Sequence, residues 1–291
     1  MDVNGVYGGT ACRGVASGRF SCKPDSIRLQ KGAAELPNHK TDFPRNSAAA
    51  RTGSDGHGSQ QLKNQILLSL PRPIRNAVLS KSVFVELPIH SVLNEVGAPI
   101  QNAYFINTGL ASILNVLQNG KSVEVGLTGK EGFVGVPLIA GFKTSPTRVI
   151  MQIAGSALSI AAKDIKAILR DYPALDRSLQ RCSQELALQA AQTAACNRVH
   201  EIDQRLARWL LMSQDRIGNE VVPLTQEFLA HMLGTRRASV TVAAGMLQKA
   251  GLISYVRGQL KIEDRGRLEN SVCECYGALK KQMGVWKSES D

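Results

Sequence analysis

Residues 224–264 read LTQEFLAHMLGTRRASVTVAAGMLQKAGLISYVRGQLKIED, and the architecture turns on this stretch. Counted from Gln226, Leu229 and Ala230 stand at the fourth and fifth places, with Leu233 and Gly234 at the eighth and ninth. Val240 and Ala243 follow at the fifteenth and eighteenth. Two helices that cross closely need a small residue where they touch and a permissive residue in the turn between them. Ala230 and Gly234 fill those two places, and Val240 and Ala243 give the second helix an inward face. The period then changes from helical to alternating at Gly251, and Arg257-Gly258 marks a hairpin. Helix, turn, helix and hairpin in this order predict a winged helix-turn-helix.

With Val240 and Ala243 turned inward, Arg236, Arg237, Ser239 and Val242 fall on the outer face near the start of the second helix. That end enters the major groove in such motifs, where arginine pairs bidentately with guanine. The positive end of the helix dipole also favours phosphate. Between Thr225 and Ile262 the cations are Arg236, Arg237, Lys249, Arg257 and Lys261, against Glu227 alone. Thr225 and Gln226 at the start of the first helix and Arg257 in the wing complete the candidate DNA contacts. The competing reading, a solvated charged face, leaves the turn pattern and the wing unexplained. His231, on the first helix, is read as a surface residue without a catalytic role.

Working outward, the 291-residue chain has a formal net charge of +11 and is 43% hydrophobic. It is long enough for two cores, and its charge suits an anionic partner. No apolar run approaches the roughly 18 residues of a spanning helix, and the N-terminus lacks a signal peptide's apolar segment. A cytoplasmic protein without a membrane partner is expected. Residues 1–58, rich in Gly, Ser and Ala, read as a tail. From Leu62 a short helical segment leads to Pro71. Short strands follow in SVFVELP, SVLNEVGAP, NAYFINTG, LASILNVLQNGKSVEVGLTG, TRVIMQIAG and ALSIAA. Asn119-Gly120 between alternating segments signals a hairpin, and the strand spacing predicts a compact antiparallel barrel or sandwich.

A long helix is predicted from about Ala174 to Asn197. Its stripe runs through Leu175, Leu179, Cys182, Leu186, Gln189, Thr193 and Cys196 in steps of three and four. Such a stripe packs on its own domain or forms a two-helix dimer seam with polar positions fixing register; spacing alone leaves both open. A further helix, HEIDQRLARWLLMSQ, buries Ile202, Leu206, Trp209 and Leu210. His200 at its start reads as a capping or surface residue, because no partner lies at metal spacing. The six cysteines are Cys12, Cys22, Cys182, Cys196, Cys273 and Cys275. They form no C-x-x-C pair, so no metal and no other cofactor is expected.

A roll of strands, a long helix and a winged helix-turn-helix in that order resemble the Crp/Fnr family of bacterial transcription regulators. The resemblance covers about Leu62 to Tyr276 and is carried by YFINTG, SVEVGLTGKEGFVGVPL, LTQEFLAHMLGTRRASVTVA and GLISYVRGQLKIED. It implies an α+β fold: an N-terminal antiparallel β-roll (a double-stranded β-helix), a long dimerisation helix and the C-terminal winged domain. The divisions expected are a tail over 1–58, a cyclic-nucleotide-binding-like roll over 59–165, the dimerisation helix over 166–198, the DNA-binding domain over 199–280 and a tail over 281–291. It also implies a non-enzymatic homodimer that binds palindromic double-stranded DNA and acts on RNA polymerase. Arg237 matches the family's guanine-reading arginine, while Ala238 and Val242 replace a glutamate and a second arginine of the cyclic-AMP-responsive members.

In those members a Gly-Glu pair holds the ribose, and an arginine followed by Ser or Thr holds the cyclic phosphate. Here Gly135 is kept, Val136 replaces the glutamate, and Pro146 stands before Thr147 where the arginine belongs. Arg148 lies one place later, which on a strand turns it to the opposite face. The pocket is therefore expected to be degenerate and cyclic AMP not to control the protein; another effector, or none, is left open. Cys12 and Cys22 do not supply an Fnr-type iron-sulfur cluster. Two further readings are a thiol-based redox regulator using Cys182, Cys196 or the Cys273/Cys275 pair, and a ligand-binding or protein-docking module without DNA binding.

Overall fold

The computed structural model describes residues 61–288 except Asn219, Glu220 and Arg257. The expected tail over 1–58, with Cys12 and Cys22, and the wing residue Arg257 therefore lie outside the described residues. Two short helices, α1 (Gln65–Ser69) and α2 (Arg72–Leu79), lead into the strands β1 (Ser82–Leu87), β2 (Val92–Asn94), β3 (Asn102–Val116), β4 (Ser122–Thr128), β5 (Phe133–Val134) and β6 (Arg148–Ala161). Then come α3 (Ala162–Asp171), α4 (Pro173–Val199) and α5 (Ile202–Ile217). The C-terminal part is β7 (Val221–Pro223), α6 (Gln226–Met232), α7 (Arg237–Lys249), β8 (Ile253–Val256), β9 (Gln259–Ile262), α8 (Arg265–Ser271) and α9 (Glu274–Ser288). No helix among the described residues is long and apolar enough to cross a membrane.

The first six strands form one antiparallel sheet in the order β1-β6-β3-β4, with β2 added to β6 and β5 to β3. β3 and β6 are unusually long strands, and their pairing slips register repeatedly between Ile106 and Ala111. Gly109 and Gly155 explain how the two strands pass one another there. A Cβ on Gly155 would lie 2.0 Å from the carbonyl oxygen of Thr108, and one on Gly109 2.6 Å from that of Ile153. Only glycines permit the strands to bend into a roll at this point. The Asn119-Gly120 turn closes the β3–β4 hairpin, with Gly120 at φ 80° and the Lys121 amide donating to Asn119 Oδ1.

One apolar cluster is not confined to either half. It joins Leu110, Leu114, Leu127 and Ile150 of the roll to Leu206, Leu210, Phe228, Leu229, Val240 and Leu260 of the winged part. The C-terminal helices are thus packed onto the roll.

Helix α4 settles which way its apolar stripe faces. Leu175, Leu179 and Cys182 belong to the roll's cluster with Leu67, Phe105, Phe133 and Ile165. Gln189, 2% exposed, accepts a hydrogen bond from the Leu127 amide and donates to the Leu127 carbonyl. Thr193 accepts one from Arg208, and Leu186 is half-buried against the same cluster. Of the seam residues Leu175, Leu179, Cys182, Leu186 and Thr193, none faces outward for a second copy, because the chain's own roll and α5 occupy that side. The exposed side of α4 carries Gln180, Gln184, Ala187, Ala191, Ala194 and Arg198, also in steps of four and three. At the C-terminus, α9 runs helical to Ser288 through residues expected to be a tail.

Candidate nucleic-acid interface and cavity

Thr225 caps α6 by accepting a hydrogen bond from the Phe228 amide at 3.2 Å. Ala230 is buried, and its carbonyl receives the Thr235 amide at 2.9 Å, which closes the turn. Gly234 has φ 60°, and a Cβ there would sit 3.1 Å from both methyls of Val123 on β4. Gly234 therefore meets two demands, a left-handed turn and close contact with the roll. Arg205 of α5 donates to the carbonyl of Leu233 and to Asn197 Oδ1, and so holds the turn from behind.

Helix α7 begins at Arg237, with Arg236 as its cap residue making no side-chain capping bond. Its buried face is Val240, Ala243, Ala244 and Leu247. Arg236, Arg237, Ala238, Thr241 and Val242 are exposed, and Ser239 is half-buried. Val242 is 63% exposed, a large apolar side chain on the outer face of the helix. Residues from both helices are tied together: Thr241 Oγ1 donates to Gln226 Oε1 at 2.7 Å. Thr241 was not among the sequence candidates, although its place one turn beyond Arg237 could have marked it. The third turn of α7 adds the exposed Met246.

The wing is β8 and β9 paired antiparallel, extended by β7. Tyr255 anchors it by donating to the Leu224 carbonyl at 2.8 Å. Lys261, part of the charge bias read from the sequence, pairs with Glu263 at 2.8 Å, one residue beyond the stretch in which charges were counted. The arginines at the start of α7 are thus the stronger cationic feature.

A cavity of 260 Å³ lies between the roll and α4. Gly135, Val136, Pro146 and Thr147 all line it, together with Phe133, Val125, Leu186 and Ala190. It is smaller than the roughly 300–1,000 Å³ usual for small-molecule sites. Arg148 does not line it. Its Nε instead meets both Glu95 carboxylate oxygens at 3.0 Å. Val136 opens a 3-10 turn, Val136–Leu138, and offers no carboxylate. An open cleft of 1360 Å³ adjoins the cavity, with Arg177 and Arg181 of α4 on its wall.

The described thiols fall into two groups. Cys182 is alone in the apolar core, and burial pushes its pKa up to about 12, which makes it inert at neutral pH. Cys196, Cys273 and Cys275 are buried together, and His200 joins them. Cys196, four residues before His200, is a partner at helical spacing, and the fold adds Cys273 and Cys275.

Residues 204–271 match the family model of the Crp-like helix-turn-helix domain. Among solved structures, a Crp/Fnr-family transcriptional regulator described as putative, from Eubacterium rectale, is similar at 15% identity with a TM-score of 0.56. The match covers 72% of this chain and 97% of that one. FixK2 from Bradyrhizobium japonicum matches at 15% identity and TM-score 0.58, over 66% of this chain and 98% of its own. The c-di-GMP-responsive global regulator CLP of Xanthomonas campestris matches at 16% identity and TM-score 0.57, over 67% and 100%. No curated protein sequence matches the chain.

Proposed function

We propose that this chain, in which residues 204–271 form a Crp-like helix-turn-helix domain on a Crp/Fnr-type fold, is a sequence-specific transcription regulator. In this reading it binds palindromic DNA as a homodimer, acts on RNA polymerase and does not answer to cyclic AMP. The observation that carries the reading is the first turn of α7. Arg236, Arg237 and Ala238 stand exposed at an uncapped helix start whose opposite face is buried in the core. The backbone amides and the dipole there attract a phosphate, and an arginine in the first turn reaches base edges in the major groove.

Within this proposal Arg237 reads a base and Arg236 holds phosphate. Thr225, Ser239 and Arg257 serve as backbone contacts, Gln226 is held in position by Thr241, and Val242 meets a thymine methyl. The dimer forms through the exposed alanine side of α4, where Ala187, Ala191 and Ala194 allow close approach of a second helix.

Selection of bound sequences from random DNA defines the half-site. Arg237→Ala then costs about 1–3 kcal/mol and relaxes one position in each half-site. Arg236→Ala weakens all sequences evenly and lowers the salt slope by about one for each phosphate that it ceases to neutralise. Unchanged base preference in Arg237→Ala refutes the assignment, and failure to select any sequence refutes the function.

A further inference from the structure

We propose that Cys196, His200, Cys273 and Cys275 form a tetrahedral zinc site that fastens the C-terminal helix α9 to the end of α4. Neither the helix-turn-helix match nor the DNA contacts involve this cluster, and the inference stands apart from them.

The ligands come from two places far apart in the chain. Cys196 lies in the last turn of α4 and His200 is that helix's C-cap, its amide bonded to the Cys196 carbonyl at 3.0 Å. A separation of four residues puts both on one side of the helix. Cys273 lies in the link between α8 and α9, and Cys275 is the second residue of α9. One candidate ligand atom from each residue gives a set lying within 4.8 Å of one another. Cys196 Sγ and Cys273 Sγ are 3.7 Å apart, and Cys275 Sγ is 3.5 Å from His200 Nδ1. Zinc bonds of about 2.3 Å to sulfur and about 2.0–2.1 Å to nitrogen place tetrahedral neighbours about 3.8 Å apart for S···S and about 3.6 Å for S···N. The two measured separations agree with both values. Three thiolates and one imidazole complete the coordination and leave no open position, the pattern of a structural site.

The surroundings suit a metal. The other ring nitrogen of His200, Nε2, faces Glu274 Oε2 at 3.1 Å. A carboxylate there fixes the tautomer and leaves Nδ1 its lone pair for the ion. Gln192 Nε2 donates to Cys275 Sγ at 3.1 Å, which supports a thiolate. The three cysteines are 0%, 4% and 1% exposed, so the site excludes water. Zinc with three thiolates carries one net negative charge. Arg208, 4% exposed, hydrogen-bonds Thr193 and Met212 and is in electrostatic contact with both Cys196 and the Glu124 carboxyl. The negative centre adds to the counter-charge of this buried guanidinium. Binding releases the three thiol protons to solvent and leaves His200 neutral, with no change of oxidation state.

The test is elemental analysis of the full-length protein purified with reductant and without chelator, joined to zinc-edge X-ray absorption. One zinc per chain with three sulfur neighbours and one nitrogen is expected. After chelation, added cobalt(II) should produce the visible bands of a tetrahedral thiolate complex, which the zinc form lacks. Cys275→Ser should remove those bands, whereas Cys182→Ala leaves them intact. Glu274→Gln keeps all four ligands and alters an exposed side chain, so it tests the site without unfolding it; zinc affinity should fall about 10–100-fold. A metal-free protein with free thiols or a Cys196–Cys273 disulfide overturns the proposal. So does iron with acid-labile sulfide, or a cobalt spectrum indifferent to Cys275→Ser.

Discussion

Replacing Glu124 by Gln should stabilise the protein at pH 8 and leave it nearly unchanged at pH 5. Glu124 is buried on β4 where the roll meets α5, accepting Trp209 Nε1–H at 2.8 Å. Burial pushes its carboxyl up from the ordinary 4.5 to about 7, against the opposing pull of Ser112, Trp209, Arg208 and Arg216. Ser112 stands 2.7 Å from Glu124 Oε2 and also bonds Gln152 Oε1, with one hydroxyl proton for two acceptors. A proton on Glu124 completes the chain, donating to Ser112, which donates to Gln152. Because the folded value is raised, the native state holds this proton over a range in which the unfolded chain has released it. The stability it contributes is full below about pH 4.5 and is lost as pH rises to about 7. At about 1.4 kcal/mol for each pH unit separating the two values, ionising the buried carboxyl costs about 3 kcal/mol at pH 8. Glutamine is neutral at every pH; its oxygen still accepts from Trp209 and its amide still donates to Ser112. Urea unfolding of both proteins at pH 5, 6, 7 and 8 measures the difference, and contributions of other titrating groups cancel in it. A difference that does not grow with pH would show that the carboxyl is ionised and satisfied where it stands.

Leu179→Glu should unfold the roll, since it puts a charge in a fully buried position, while Ala191→Glu should give a folded monomer in sedimentation. A folded dimer in Ala191→Glu would place the interface elsewhere. Calorimetry with cyclic AMP should show no tight binding, because Val136 and Pro146 line the cavity and Arg148 is taken by Glu95; tight binding that also strengthens DNA binding would contradict that account of the pocket.

The winged domain was legible because its constraints are local. A small residue at the crossing, a glycine in the turn and two inward positions fall within eighteen residues of one another, and Ala230, Gly234, Val240 and Ala243 meet them in the structure. The turn of Arg148 away from the cavity was not legible as strand alternation, because Pro146 and Thr147 form a bend and β6 begins only at Arg148. Nor was the direction of α4. Its stripe and its alanine side both repeat in steps of three and four, and only the packing of Leu127, Phe133 and Leu67 against the first decides which is covered. The His200 cluster was hidden for a deeper reason. Its two pairs of ligands lie about 75 residues apart, and their meeting depends on α8 turning the chain back onto the end of α4. Sequence spacing reveals zinc sites only when turns and helices within a short segment bring the ligands together.

Strand β4 is where the cavity and the winged domain come closest to a common element. Val123 and Val125 are half-buried and two residues apart on β4. Val123 packs against the turn glycine Gly234, and Val125 lines the cavity beside Leu186 and Ala190 of α4. The pairing with β3 slips between Ile113 and Leu114, leaving Val125 as the extra residue between Glu124 and Gly126. A bulge is a place where a strand bends at low cost. Glu124, between the two valines, accepts a hydrogen bond from Trp209 of α5. Any occupant of the cavity presses on a strand that contacts the helix-turn-helix at its turn and its supporting helix. Arg205 lies behind that same turn, and Arg208, one helical turn along α5, faces the cysteine cluster. The start of α7 is thus positioned from the roll through β4 and from the end of α4 through α5, which gives two physical routes by which the position of Arg237 can be set.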